Sequence, residues 1–118
     1  MDNINNAITQ DITIVRGNTL AFTFELTGLN QSLSAAYFSC KAKPDAATYA
    51  FQKTLGDGIE AGTGTAAGTY SVRVAPEDTA DLEAGRYYYD LTVEANDDRQ
   101  TLMLGSLILV QGVTEPAE

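Results

Sequence analysis

The most informative segment of the chain reads Leu82-Glu83-Ala84-Gly85-Arg86-Tyr87-Tyr88-Tyr89-Asp90-Leu91. A leucine is followed by a glycine, and a tyrosine two residues later opens a strand with alternating side chains. Successive side chains of a strand point to opposite faces, so Tyr87, Tyr89 and Leu91 share one face. We therefore expect Tyr87 inside the core and Tyr88 on the outer surface.

This order of residues resembles the tyrosine corner of immunoglobulin-like domains. In that device a tyrosine ring packs inside, and its hydroxyl binds the backbone a few residues upstream. Tyr87 is the candidate for this role, and Gly85 lets the chain turn before it. We interpret Gly85 and Tyr87 as structural residues, because a corner of this kind indicates an architecture and no function.

Working outward, seven segments carry strand signals, and turn residues separate them. The clearest is 19–27, where Leu20, Phe22, Phe24 and Leu26 alternate with polar or small residues. No pattern of helical length lies between the segments. The fold class is therefore predicted as all-β, an immunoglobulin-like antiparallel β-sandwich of about seven strands. The predicted strands are 9–15, 19–27, 36–43, 49–55, 69–75, 86–95 and 100–113.

The connections between these strands have signals of their own. Pro76 with acidic residues after it predicts the first turn of a short helix. Asn96-Asp97-Asp98 predicts a hairpin turn, and Gly105 a bulge in the last strand. Gly56–Gly68 is expected to be an exposed loop or a poorly formed edge strand. A single domain spans 1–118, with flexible tails at about 1–8 and 114–118.

The net charge, the N-terminal sequence and the cysteine content exclude several kinds of partner and of covalent feature. The formal net charge of −9 repels phosphate backbones and anionic lipid headgroups, so nucleic acid and membrane partners are not expected. The N-terminus has neither a basic region nor an apolar run, so no signal peptide is predicted. The single cysteine, Cys40, excludes an intrachain disulfide and occupies an apolar-phase strand position. We expect it to be a small buried core residue.

The residues that support catalysis or metal binding are missing from the sequence. The chain has no histidine, which removes the usual general base and the usual zinc ligand. Asp78 and Asp81 lie at the predicted helix start, where capping explains them without catalysis. We predict no enzyme activity, no catalytic residues, no cofactor and no metal site. Tyr88 is the candidate interface anchor, with a packing ring on a solvent face as the alternative.

Three segments carry a further resemblance. They are Asp11–Phe24, with its arginine–glycine–asparagine–threonine turn, Ala75–Tyr87, and the closing strand Gln100–Val110. Together they resemble the N-terminal β-sandwich domains of upper baseplate proteins, a group of tailed-phage and prophage structural proteins. The resemblance covers about 10–113. It implies structural turns and strands, and no catalytic residues.

The function expected from these observations is that of a non-enzymatic phage or prophage structural protein in a tail, baseplate or virion accessory role. Its partners would be other phage structural proteins or further copies of itself as a homo-oligomer, in the virion or in the host cytoplasm during assembly. An edge strand or the Tyr88 face would make the contact. The alternative is a bacterial surface module that binds carbohydrate or protein through its end loops, Gly56–Gly68 above all.

Overall fold

The computed structural model describes residues 8–26, 33–62, 68–95 and 97–113. These residues form nine strands and one short helix. In chain order the elements are β1 (Ile8–Thr9), β2 (Ile12–Val15), β3 (Leu20–Glu25), β4 (Ala35–Lys41), β5 (Phe51–Leu55), β6 (Gly58–Ala61), β7 (Thr69–Val74), α1 (Pro76–Thr79), β8 (Gly85–Ala95) and β9 (Asp98–Val110).

The strands form one curled sheet whose two halves face each other as the layers of a sandwich. Their order is β1-β9-β8-β4-β5-β6-β7-β3, and β2 also pairs with β9. Only two residue pairs join β5 to β6, and the chain passes there from the larger layer to the smaller one. The ring centroids of Phe22 on β3 and Phe38 on β4 lie 5.4 Å apart. Strands that are not neighbours in the sheet therefore meet across a common core.

The described part of the chain has nine strands, whereas the sequence predicts about seven. One predicted strand is divided into two, and one predicted loop contains a strand. The first predicted strand divides at Gln10 and Asp11 into β1 and β2, which both run parallel to β9. β6 forms inside the predicted loop 56–68 and lies between β5 and β7, so it is not an edge strand. Residues 63–67 lie outside the described part. The β5–β6 pairing is also parallel, so the sheet is not uniformly antiparallel.

Gly105 does not mark a bulge, contrary to the prediction. It pairs regularly with Tyr89, and the irregularity in the β8–β9 ladder lies next to Thr92 instead. A Cβ atom on Gly105 would come within 2.2 Å of the Gln10 carbonyl oxygen. Glycine is needed here because the bend between β1 and β2 passes directly over it. The bend is held by the Tyr89 hydroxyl, which donates to that carbonyl oxygen at 2.5 Å.

The alternation predicted for β4 and β8 is confirmed by burial. Phe38 and Cys40 on β4 are fully buried, and Leu91 on β8 is nearly so. Phe22 and Phe24 on β3 pack against this core and are partly buried. The buried core residues are Ile14, Leu33, Ala36, Phe38, Cys40, Phe51, Ile59, Tyr70, Val72, Val74, Tyr87, Tyr89, Leu91, Val93, Leu107 and Leu109.

The first two segments of the phage resemblance meet in space. Arg16 donates a hydrogen bond from its guanidinium group to the Ala80 carbonyl oxygen after α1. The Gly17 backbone N–H donates to the Thr79 hydroxyl oxygen at 2.9 Å, and Thr79 is fully buried. Gly17 has a φ of 83°, which favours glycine at this turn. These motif residues therefore join the β2–β3 turn to the helix.

Candidate interaction face

The corner predicted at Gly85 and Tyr87 has the expected geometry. The Tyr87 hydroxyl donates a hydrogen bond to the Glu83 carbonyl oxygen, four residues upstream, at 2.7 Å. Gly85 has a φ of 151°, outside the range that residues with side chains readily adopt. Burial raises the pKa of Tyr87, and the charges of Cys40 and Glu83 raise it further. A tyrosine hydroxyl is protonated at neutral pH and can donate this bond, and the raised pKa extends that state further into the alkaline range.

Tyr88 points away from the core, as the alternation predicts, and it lies in a broad depression on the outside of the larger layer. The depression has a volume of about 750 Å³ and is open to solvent. β4, β8 and β9 supply most of its lining through their outward side chains. We call this surface the tyrosine–arginine face, and its main residues are Tyr37, Ser39, Lys41, Tyr49, Gln52, Arg86, Tyr88, Asp90, Arg99, Leu104 and Ser106.

Cations lie over the tyrosine rings of this face. The Arg86 guanidinium carbon is 5.5 Å from the centre of the Tyr88 ring. Lys41 lies 5.0 Å from the Tyr49 ring centre, and Arg99 lies 5.7 Å from that of Tyr37. Such contacts hold the long basic side chains against flat rings. Contacts within the chain therefore partly fix the basic side chains of this face.

Hydrogen bonds between neighbouring strands fix other side chains of the face. Arg86 donates from Nε to the Ser106 hydroxyl at 2.8 Å, across the β8–β9 ladder. Gln52 donates to the Ser39 hydroxyl at 2.9 Å, across β5 and β4. Ser39 and Gln52 face each other directly, whereas Arg86 is opposite Ile108 and reaches Ser106 diagonally. A polar surface with fixed side chains loses less conformational entropy on binding.

The face also exposes apolar surface. Among the described residues, four large hydrophobic side chains are well exposed, and Tyr49 and Leu104 both line this depression, at 50% and 40%. The other two, Ile8 and Val113, lie elsewhere. Apolar and aromatic surface inside a polar rim is typical of protein-binding sites.

The charge of the face differs from that of the whole chain. Three of the seven basic side chains line it, namely Lys41, Arg86 and Arg99, against two acidic ones, Asp11 and Asp90. Glu94, next to the depression, forms an ion pair with Arg99. The face is thus close to neutral on a chain of net charge −9. Repulsion between two acidic proteins is weaker here than on an average part of the surface.

Within the described residues, this region offers no candidate metal site. No group of three or more cysteine, aspartate or glutamate side chains is placed to hold a metal ion in those parts of the chain. Cys40 is fully buried below the face, and burial raises the pKa of its thiol to about 12. Asp78 accepts a hydrogen bond from the Ala75 backbone N–H at 2.7 Å, which is the capping role predicted for it. No helix in the described ranges has the length and hydrophobicity to cross a bilayer.

The sequence predicted one residue of this face, Tyr88, and missed most of the others. Arg86, Asp90 and Thr92 share the outward phase of β8 with Tyr88, so the alternation was a usable signal for them. Tyr37 and Arg99 come from β4 and β9, and only the strand order brings them to the same surface.

Comparison with solved structures identifies the architecture. The extracellular domain of mouse leukocyte-associated immunoglobulin-like receptor 1, solved as a strand-swapped dimer, superposes with a TM-score of 0.51. The fold is immunoglobulin-like. The match covers 94% of this chain and 96% of the receptor domain. At 7% sequence identity the similarity shows the fold alone.

Two further immunoglobulin-like domains match at lower TM-scores. The natural killer cell receptor NKp44 matches with a TM-score of 0.48 and 13% identity, covering 89% of this chain and 99% of that one. The extracellular domain of the voltage-gated sodium channel β4 subunit, described as a parallel homodimer, has a TM-score of 0.43 and 13% identity. That match covers 96% of this chain and 100% of the other. No protein-family model and no curated protein matches the sequence.

Proposed function

We propose that this immunoglobulin-like chain is a non-enzymatic structural protein that acts through protein–protein assembly, with the tyrosine–arginine face as its contact surface. One observation carries the proposal: exposed Leu104 and Tyr49 lie in the same open depression as Tyr88 and Arg86. Tyrosine and arginine are enriched at the centres of protein interfaces, where a few such residues supply most of the binding energy.

The proposed setting is a phage or prophage particle, in a tail, baseplate or virion accessory role. The resemblance of Asp11–Phe24, Ala75–Tyr87 and Gln100–Val110 to baseplate proteins supports this setting. The partners are then other structural proteins of the particle or further copies of this chain. The mouse receptor domain with the similar fold was solved as a strand-swapped dimer, which makes a second copy a reasonable partner to test.

Binding to candidate partners tests the role of the face. The tagged chain is co-expressed with the products of neighbouring genes, and the affinity of each captured protein is measured by calorimetry. We expect Tyr88→Ala and Leu104→Ser each to weaken binding about tenfold or more, the effect of removing a central interface residue. Glu60→Ala is the matched control, because Glu60 is exposed on β6 in the smaller layer. Equal affinities for all three variants and the unaltered chain would refute the proposal.

Mass spectrometry of purified particles tests the setting separately. After induction of the host strain, the chain should be present in particles at a fixed ratio to a major tail protein. Its absence from particles, with the protein present in the host lysate, would contradict the structural role. Binding through the end loop 56–68 stays a prediction, because residues 63–67 lie outside the described part. Glycan binding that is kept in Tyr88→Ala would favour that alternative.

A further inference from the structure

Strand β3 has one edge that no described strand covers. It is the last strand in the sheet order and, among the described strands, pairs with β7 alone. The Leu26 backbone N–H donates to the Gly68 carbonyl oxygen at 2.9 Å. Because hydrogen-bonded residues alternate in an antiparallel pair, Phe22 and Phe24 also bond to β7. The backbone N–H and C=O groups of Ala21, Thr23 and Glu25 therefore point to the open edge.

Several features by which proteins usually block an open edge are missing from the described residues of β3. Its six residues, Leu-Ala-Phe-Thr-Phe-Glu, include no proline and no lysine. All six pair in regular register with β7, without a bulge. The inward residues Leu20, Phe22 and Phe24 are only partly buried, whereas Val72 and Val74 on β7 are fully buried or nearly so. The core is thus incompletely covered along this edge.

We propose that β3 pairs antiparallel with β3 of a second copy, about a twofold axis at Thr23, so that the smaller layers of two molecules form one continuous sheet. In this register Thr23 faces Thr23 of the second copy, and Ala21 faces its Glu25. Phe22 faces Phe24 of the second copy on the inner side. Cross-strand aromatic pairs and threonine pairs are among the combinations that stabilise a sheet.

Charge also favours this register. Glu25 is exposed on β3, and Arg73 is exposed on β7, where it pairs with the small residue Ala21. In the dimer, Glu25 of the second copy lies on the other side of Ala21, on the same outer face as Arg73. The two long side chains can meet across the alanine. The twofold axis forms this pair twice and places no like charges opposite each other.

This inference specifies the self-assembly part of the proposed function, and it uses a different surface. β3 belongs to the smaller layer, whereas the tyrosine–arginine face lies on the larger one. A dimer of this kind leaves the face open to other proteins. If the proposed role of one surface is refuted, the proposed role of the other is therefore unaffected.

Cysteine cross-linking tests the register directly. Residues facing each other in a hydrogen-bonded antiparallel pair have Cα atoms about 5.5 Å apart, a distance that a disulfide spans. We expect Thr23→Cys to form a disulfide-linked dimer under mild oxidation. The matched control is Ser71→Cys, exposed on β7 directly beside Thr23. Its two copies would be three strand spacings apart, roughly 14 Å, and should stay monomeric on a non-reducing gel. Cys40 is fully buried and does not compete.

Sedimentation velocity of the unaltered chain and two edge variants completes the test. Thr23→Lys places two ammonium groups opposite each other and should abolish the dimer, whereas Thr23→Val should keep it. Circular dichroism checks that both variants are folded. Cross-linking of Thr23→Cys no faster than Ser71→Cys, or an unaltered chain that is monomeric at millimolar concentration, would overturn the proposal. Neither result depends on Tyr88, so the outcome of these tests is independent of the outcome of the binding tests on the tyrosine–arginine face.

Discussion

Phe38 is fully buried at the centre of the core, between other aromatic rings. Phe38 lies 5.4 Å from the Phe22 ring on one side and 5.4 Å from the Tyr89 ring on the other. In antibody domains a tryptophan packs against a disulfide at this place, and the second cysteine follows the corner tyrosine by two residues. Tyr89 follows Tyr87 by two residues. Aromatic packing thus fills the space where those domains have a cross-link, and Cys40 is a free, buried thiol.

The corner hydrogen bond of Tyr87 should make a measurable contribution to the free energy of unfolding. Tyr87→Phe keeps the ring and removes the donor, so the Glu83 carbonyl oxygen loses its partner. We expect the free energy of unfolding to fall by about 1 kcal/mol, the usual effect of one such bond. Urea denaturation measures it. Tyr88→Phe is the control, because no described residue accepts a hydrogen bond from the Tyr88 hydroxyl. Equal losses in the two variants would contradict a specific role for the corner.

At the scale of elements, β5 and α1 are joined by an ion pair at the end of the core. Lys53 lies in the inward phase of β5, opposite Phe38, and its ammonium group reaches Asp78 on α1 at 2.7 Å. Both side chains are mostly buried. A Cβ atom on Gly58 would lie 2.6 Å from the Lys53 stem, so glycine leaves room for the lysine. The ion pair shows why a lysine can occupy an inward position of this strand.

Removal of the Asp78 side chain should lower the free energy of unfolding more than removal of the Lys53 charge. Asp78→Ala deletes both the ion pair and the acceptor for the Ala75 N–H, and it leaves a partly buried ammonium group without its partner. We expect a loss of about 2 kcal/mol in the free energy of unfolding. Lys53→Met keeps an apolar stem and should cost about 1 kcal/mol or less. Urea denaturation of the single and double variants measures the coupling. Additive losses would show that the pair contributes nothing as a pair.

At the scale of the whole molecule, the core holds ionisable groups that must stay neutral. Burial raises the pKa of Cys40 from 9.0 to about 12. It also raises the pKa of Tyr87 and of Tyr89, and the charge of Asp11 adds to the effect on Tyr89. These groups release protons more readily in the unfolded chain than in the folded one. The folded state therefore binds more protons at alkaline pH and is destabilised as pH rises.

The stability of the molecule should consequently fall on the alkaline side. The contribution of neutral Cys40 is complete below about pH 9 and is lost progressively as the pH rises toward 12. We expect a lower urea midpoint at pH 10 than at pH 8. In Cys40→Ala the decline should be shallower, although the variant is less stable throughout because of the cavity it creates. A decline of unchanged steepness in Cys40→Ala would exclude the thiol as a cause.

The local properties of this protein follow from its sequence alone. The period of two in β3, β4 and β8 identifies the inward side chains, because the geometry of a strand repeats every two residues. The corner at Gly85 and Tyr87 was also predictable, since its hydrogen bond spans only four residues. The same holds for the short helix at Pro76–Thr79, whose capping contacts lie within one turn.

Only the tertiary structure decided which strands became neighbours, and the main surfaces follow from that. Tyr37, Tyr88 and Arg99 are distant in sequence and share one face because β4, β8 and β9 lie side by side. Gly105 was misread as a bulge because its real constraint, the Gln10 backbone, lies 95 positions away along the chain. Pairing partners are selected by closure of the whole sheet around its core, and a period of two within one strand contains no information about that closure.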